Sequence, residues 1–332
     1  MVYLDNAATT PPCYFGKDYV DNLNWRNSNA NYAFKEKIIL NNCRNRIKQF
    51  LGVNSGYVLF TRCATESIEW LSNKLSISCS NYEHDSVYNC QNHNHQYKLF
   101  CHQLVNQLTG DIYDIESIAK QSNNAEFFGS DLTAAIGHIQ LPKNMDNYCD
   151  ALWWSGHKFG CEKGIGGLWV SDKLFNFLGG DEDANNQYNL IHGTLNLSAV
   201  MAMTDAMGNI EQYNNTWFSY VDHIITHTQC RLISINNHKS YAINLLYFDD
   251  ILAEPLQTFL ATKNIYVGIG GSACSKNKDY RVLNTFGLSD NEAEHCIRIS
   301  FNKNTTQQDI NKLVFTIKEY KAIINVKKMC RG

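Results

Sequence analysis

The side chains able to do chemistry in this sequence stand beside turns. In residues 151–170, ALWWSGHKFGCEKGIGGLWV, an apolar strand runs into Ser155-Gly156-His157-Lys158, then a glycine-rich turn, then a second strand. Lys158 therefore falls just past a strand end, the rim where α/β sheets bind ligands. Beside Trp153, Trp154 and Phe159 its amine would be partly desolvated, which lowers a lysine's pKa and frees it for Schiff-base chemistry. Taken alone, a lysine in a turn is also an ordinary surface residue. Ala64-Thr65 lie between a strand and a helix, where backbone N–H groups and a hydroxyl can cradle a phosphate. A plain helix cap built from Thr65 and Glu66 fits the same residues. Cys274 follows Gly268-Ile269-Gly270-Gly271-Ser272 and precedes a polar run over 275–279. A thiol on a loop of that kind is a poor packing residue and a good carrier.

The other cysteines carry no such setting. The chain has 12, with no CxxC pair and no zinc-knuckle spacing, so most are expected to be small buried hydrophobes. The polar, histidine-bearing segment 91–97, QNHNHQY, is expected to be a surface loop, with metal binding the minor alternative. Lys plus Arg is 29 against 32 for Asp plus Glu, a net charge of −3, which argues against a dedicated nucleic-acid binder. No run of about 18 apolar residues appears, so no membrane span is expected. The opening MVYLDNAATTPP lacks the apolar core of a signal peptide, which makes the cytoplasm the expected location and disulfides unexpected.

The elements that would position these groups alternate. Strands are expected over 57–61, 100–106, 126–131, 151–155 and 165–170, with helices over 42–51, 65–75 and 112–121. Such alternation predicts an α/β domain with a mostly parallel sheet. After Thr194 the pattern changes to a long helical stretch over 197–227, a strand at 241–248, a helix at 252–262, a strand at 296–301 and a final helix at 307–322. That is a second, smaller α+β lobe. With 332 residues, 44% of them hydrophobic and 18% charged, the chain has the material for both.

In ordered blocks over nearly its whole length the sequence resembles the class V, fold type I pyridoxal-phosphate enzymes, and within them the cysteine desulfurases of the NifS/IscS type. The blocks are Tyr3–Thr10 (YLDNAATT), Phe60–Ser67 (FTRCATES), Glu83-His84, Ser155–Lys158, Gly193-Thr194, Gly271–Ser275 (GSACS) and Ile297-Arg298. The resemblance implies a large cofactor-binding domain over 14–232 and a small domain over 1–13 and 233–332 that carries a persulfide loop. It also implies pyridoxal 5'-phosphate bound to Lys158, with His84 over the ring as acid/base and Asp131 on the pyridine nitrogen. Asn106 would lie near the cofactor's phenolic oxygen, and Ala64, Thr65, Ser155 and His157 would hold the phosphate. Thr194 would reach a partner subunit's site in a homodimer. Arg298, with Asn6 and Asn106, would bind the substrate. The implied reaction converts L-cysteine to L-alanine and leaves sulfur on Cys274 as a persulfide. The sulfur would pass to an acceptor protein, a scaffold for iron–sulfur cluster assembly or a tRNA-thiolation enzyme. A selenocysteine lyase or another class V aminotransferase or lyase is the alternative, followed by a degenerate cofactor-binding scaffold.

The sequence also departs from the family. Ala134 stands where a glutamine is usual, and Arg62 and Cys63 precede Ala64-Thr65 in place of small residues. The N-P-S-S-x-H block reads NSNANY over 27–32. Asn106 follows His84 by only 22 positions, a shortening that implies one strand and one helix fewer at the sheet edge.

Overall fold

The computed structural model describes residues 1–12, 28, 33–122, 124–210, 216–270 and 280–329. The chain divides into two compact units. The smaller gathers Met1–Ala8, Val105–Ile112 and Tyr213–Gly332, and the larger holds Thr9–Leu104 and Tyr113–Gln212.

The chain opens with β1 (Val2–Leu4), which belongs to the smaller unit. The larger unit then runs α1 (Phe34–Leu51), β2 (Tyr57–Thr61), α2 (Ala64–Ser72), β3 (Ser76–Cys79), α3 (Asp85–Tyr88), β4 (Lys98–Cys101), α4 (Ile115–Gln121), β5 (Phe127–Asp131), β6 (Ala151–Ser155), β7 (Gly166–Val170), α5 (Asp172–Phe177) and α6 (Leu197–Gly208). The sheet has the order β2-β7-β6-β5-β4-β3. Strands β3 to β6 pair in parallel, and β7 alone runs against its neighbours β6 and β2. Every residue of β5, β6 and β7 is buried, which is why FFGSD and ALWWS show near-continuous apolar runs rather than alternation. Trp153 lies in a core with Leu59, Ile68, Leu99 and Leu168.

Several boundaries differ from expectation. Helix α1 begins at Phe34, well before residue 42. Its inward face carries buried Glu36 and Arg44 while Phe34 and Ile38 are exposed, so the apolar periodicity fails over its first half. The strand expected over 100–106 ends at Cys101, because the chain then leaves for the short excursion Val105–Ile112 in the smaller unit. The link from β3 to β4 contains only the four-residue α3, in keeping with the shortening before Asn106.

The smaller unit continues with α7 (Thr216–Thr228), β8 (Arg231–Ile233), β9 (Ile243–Tyr247), α8 (Ala253–Thr262), β10 (Ile265–Ile269), β11 (Cys296–Ser300) and α9 (Gln307–Met329). Its sheet has the order β1-β10-β11-β9-β8, with only β1 and β10 parallel. Strands β1, β3, β8 and β10 were not expected. Three or four residues long in most cases, such strands leave too little pattern to read. The single helical stretch over 197–227 is instead α6 and α7. The unit boundary also falls near residue 213 rather than 233. Helix α7 buries Trp217, Tyr220, Val221 and Ile224 and packs on α9, and Tyr220 meets Phe301 edge-on at 5.8 Å. No helix among the described residues is long and apolar enough to cross a membrane.

Candidate active site

The larger unit brings a lysine, a carboxylate and a phosphate cradle to the ends of adjacent strands. Lys158 closes the single turn Gly156–Lys158 that follows β6, and it is half-buried. Asp131 is the last residue of β5, buried and in register with Trp153 of β6. Its Oδ1 accepts the Thr133 N–H at 2.7 Å. Lys158 and Asp131 thus both stand at the ends of neighbouring parallel strands.

Helix α2 opens the cradle. Its N-cap, Cys63, is extended and supplies no side-chain cap. The Thr65/Glu66 cap is not formed, since the Glu66 carboxylate turns back to the Arg62 N–H (2.5 Å) and Arg62 Nε (2.8 Å). Arg62 is thereby paired and faces solvent. The Ala64 N–H donates to Ser155 Oγ at 2.8 Å, so Ala64 acts through Ser155 and leaves that hydroxyl's own proton for another acceptor. Thr65 stands half-buried in the first turn, where the aligned amides favour an anion. His157 shares a 2.6 Å hydrogen bond from Nδ1 to Thr9 Oγ1, and its carbonyl accepts the Thr10 N–H. Burial, then the nearby Lys158 and Lys163, pushes its imidazole down to about 4. His157 is therefore neutral at pH 7.

His84 is exposed and caps α3. Its Nδ1 accepts the Ser86 N–H at 3.1 Å, so the neutral ring carries its proton on Nε2. The segment before it is fixed by Glu83, fully buried, which accepts the Gln103 N–H at 2.5 Å. Thr194 lies on an exposed stretch ahead of α6. Ala134 has no side-chain hydrogen-bonding group, and its carbonyl accepts from His138 Nδ1 at 3.1 Å. Cys274 lies outside the described residues, as does most of the 27–32 block.

The smaller unit holds a second set. Arg298, on β11, places Nη2 2.8 Å from Asp5 Oδ1 and donates from Nη1 to the Gln107 carbonyl at 3.1 Å. Its antiparallel neighbour is Gly268 of β10, and the guanidinium lies over that glycine. Asn106 is fully buried, its Oδ1 accepting from the Leu108 and Thr109 N–H groups. Asn6 is fully buried. Its amide donates to the Ser300 carbonyl (2.9 Å) and accepts from Asn302 Nδ2 (2.8 Å), a strut between the chain start and β11. Sequence reading missed Asp5, Glu83, Thr9 and Gly268 as partners. Asp5 and Thr9 fall within the YLDNAATT block, which was the available signal.

The donor set fits pyridoxal 5'-phosphate. A buried carboxylate suits a cationic ring nitrogen, a strand-end lysine suits an aldehyde, and a hydroxyl with helix-start amides suits a phosphate. A buried donor beside Asp131 in the same unit, Thr133 Oγ1, also has no partner, and an orphaned buried group calls for one. Among the described residues there is no group of three His, Cys, Asp or Glu that could hold a metal ion. All nine described cysteines are free, six of them buried.

Comparison with known proteins agrees. The chain matches the Aminotransferase class-V family over residues 2–94 and 82–313. It is 26% identical to the cysteine desulfurase IscS of Buchnera aphidicola subsp. Baizongia pistaciae (strain Bp), covering 93% of this chain and 90% of that one. It is 24% identical to the cysteine desulfurase IscS of Methanosarcina thermophila, covering 96% and 91%. The NifS-like protein from Rickettsia africae ESF-5 superposes with a TM-score of 0.81 at 23% identity, covering 96% of this chain and 99% of that one. That likeness carries the fold. The family match over most of the chain makes it a member of the class-V aminotransferases, pyridoxal-phosphate enzymes of fold type I.

Proposed function

We propose that the chain is a cysteine desulfurase, converting L-cysteine to L-alanine and passing the sulfur to an acceptor as a persulfide. The observation that carries the catalytic half is Lys158 and Asp131 at the ends of the adjacent parallel strands β6 and β5. The relatives' activity supports the choice of substrate. Pyridoxal 5'-phosphate, when bound, supplies an aldehyde and a cationic ring that draws electrons from an amino acid's α-carbon. Asp131 holds the charge on the ring nitrogen. Ser155, Thr65 and neutral His157 hold the phosphate. Lys158 moves the proton at the α-carbon, and His84 presents Nε2 for a second proton transfer. Arg298 binds the substrate carboxylate.

Cys274 is the sulfur carrier in this reading. Its thiolate attacks the sulfur of the bound cysteine, an S–S bond forms, and the C–S bond breaks with its electron pair left on the substrate carbon. Protonation of that carbon completes alanine. Thr194 extends to a second copy, so the active form is a homodimer, and the enzyme works in the cytoplasm with a sulfur-accepting protein as partner. The test is incubation of purified protein with L-cysteine, measuring alanine and sulfide with and without a thiol reductant. Alanine in amounts matching reductant-released sulfide is expected. Transamination to pyruvate without sulfide release would replace the desulfurase with an aminotransferase.

A further inference from the structure

The larger unit carries a cavity of about 410 Å³ that the reaction outlined above does not use. It lies where the edge strand β3 runs beside β4. Their parallel register sets Ser76 beside Lys98 and Ser78 beside Phe100, so these four side chains share one face of the sheet. The other face turns Ile77, Leu99 and Cys101 into the core with Trp153. Helix α4 supplies Ile118 and Gln121 to the cavity, and the turn after it supplies Asn124. The polar segment 89–97 is pinned along the outer edge of β3. The Asn92 N–H donates to the Ile77 carbonyl at 3.1 Å, and Ser76 Oγ sits between the His95 N–H (2.9 Å) and the His95 carbonyl (2.7 Å). His93, which falls between these two anchors, is part of the lining.

The lining decides what the cavity can take. Phe100 and Ile118 give an apolar surface, and an aromatic side chain offers a platform on which another flat ring stacks. Several polar groups are already committed to backbone. Ser76 is held by His95, Asn92 Nδ2 donates to the Cys90 carbonyl at 3.0 Å, and Ser122 Oγ donates to the Ala119 carbonyl at 2.7 Å. Ser78, Gln121 and Asn124 remain to meet a ligand. Amide side chains match the paired donor and acceptor edges of a heteroaromatic base, as Asn and Gln do with adenine. Lys98 and His93 are the only titratable side chains in the lining, and both are basic. Glu126 directs its Oε2 to the Lys98 N–H at 2.7 Å and is not part of the lining. A plain hydrocarbon guest would displace water from these groups and give them nothing in return. A flat heteroaromatic ring carrying a phosphate answers all three parts of the wall, and the volume lies within the range of small-molecule sites.

We propose that this cavity binds a purine nucleoside monophosphate, with the base against Phe100, its edge met by Gln121 and Asn124, and the phosphate at Lys98 and His93. The inference is independent of which substrate the enzyme turns over. The experiment uses the full-length holoenzyme, so that the phosphate cradle of the active site is filled by pyridoxal 5'-phosphate. AMP, adenosine and inorganic phosphate are titrated by calorimetry into the wild type, Lys98→Met, Lys98→Arg and Ser78→Trp, with near-ultraviolet circular dichroism to check the fold. AMP should saturate one site per chain, and adenosine and phosphate should each bind at least ten-fold more weakly. Lys98→Met should weaken AMP roughly ten-fold, the worth of one hydrogen bond to a charged group, and leave adenosine unchanged. Lys98→Arg should restore most of the affinity, and Ser78→Trp should abolish binding by filling the cavity. No saturable binding of AMP overturns the inference, as does adenosine or phosphate binding as tightly as AMP. AMP uptake that removes the cofactor's visible band overturns it too, since the ligand then occupies the active site. Lys98 is exposed, so Lys98→Met tests the site even if Ser78→Trp fails to fold, and wild-type AMP affinity in Lys98→Met overturns the inference.

Discussion

Gly268→Ala tests whether the strand β10 sets the head of Arg298. The two residues are paired in the antiparallel ladder, so their side chains rise on the same face and the arginine folds over the glycine. A methyl group at position 268 would stand 2.9 Å from Asp5 Oδ1, 3.0 Å from Arg298 Nε and 3.1 Å from Arg298 Nη2. Ordinary contacts need roughly 3.5 Å or more, so the ion pair must move by about half an ångström. It has little room to do so. Nη2 is held at 2.8 Å by Asp5 and Nη1 at 3.1 Å by the Gln107 carbonyl, and the Arg298 side chain is only 13% exposed. Overpacking of this kind costs about 1–3 kcal/mol of stability. A bidentate, charge-assisted grip on a carboxylate is worth on the order of 2–4 kcal/mol and depends on geometry. Losing about a third to a half of it raises the KM for L-cysteine roughly ten-fold. Alanine formation against L-cysteine concentration gives KM and kcat, and a cofactor titration serves as control. The expected result is a raised KM with kcat changed far less and cofactor affinity unchanged. An unaltered KM in a folded Gly268→Ala protein would refute the argument that this face of β10 orients the substrate-binding arginine.

Lys158→Ala should abolish turnover, and the wild type should retain a borohydride-fixed cofactor mass on the peptide containing Lys158 that the variant lacks. Cys274→Ser should keep the cofactor's visible spectrum and its response to cysteine yet lose sulfide and alanine; native rates in that variant would make the persulfide assignment wrong. His157 supplies a pH prediction. An unfolded histidine takes up its proton near 6.5 but the folded one only near 4, so the unfolded state binds more protons between those values. Stability contributed by this group is therefore present above about pH 6.5 and declines as pH falls towards 4. Thermal melts at pH 7 and pH 5 should show a smaller difference for His157→Gln than for the wild type.

The placing of the candidate cofactor residues at strand ends was legible because it is local. The strand 151–155 followed by Ser-Gly-His-Lys places Lys158 at a strand end by chain connectivity alone, and 127–131 places Asp131 the same way. Continuous apolar runs, scarcely interrupted by polar residues, announce buried parallel strands wherever they occur. Helix α1 shows where that logic stops. Its inward Arg44 acquires partners from the folded protein, donating to the Val58 carbonyl and lying 4.4 Å from the Tyr188 ring centroid, so with buried Glu36 the pattern along the helix looked polar.

What tertiary structure alone decided is which side chains hold one another. The pairing of Asp5 with Arg298 joins residues from opposite ends of the chain, 293 positions apart, and Lys239 reaches the Asn106 turn across 130. The turn at Asn106 was not foreseen, since residues 100–106 were expected as a strand, and nothing local says that Asn106 spends its oxygen inward and leaves its nitrogen without a partner. Nor does Ser155 announce that it will take the Ala64 N–H. Residue types and spacing determine where reactive groups emerge from strands and helices, since that follows from short-range geometry. Their partners depend on sheet order and register, which arise from the packing of the whole chain.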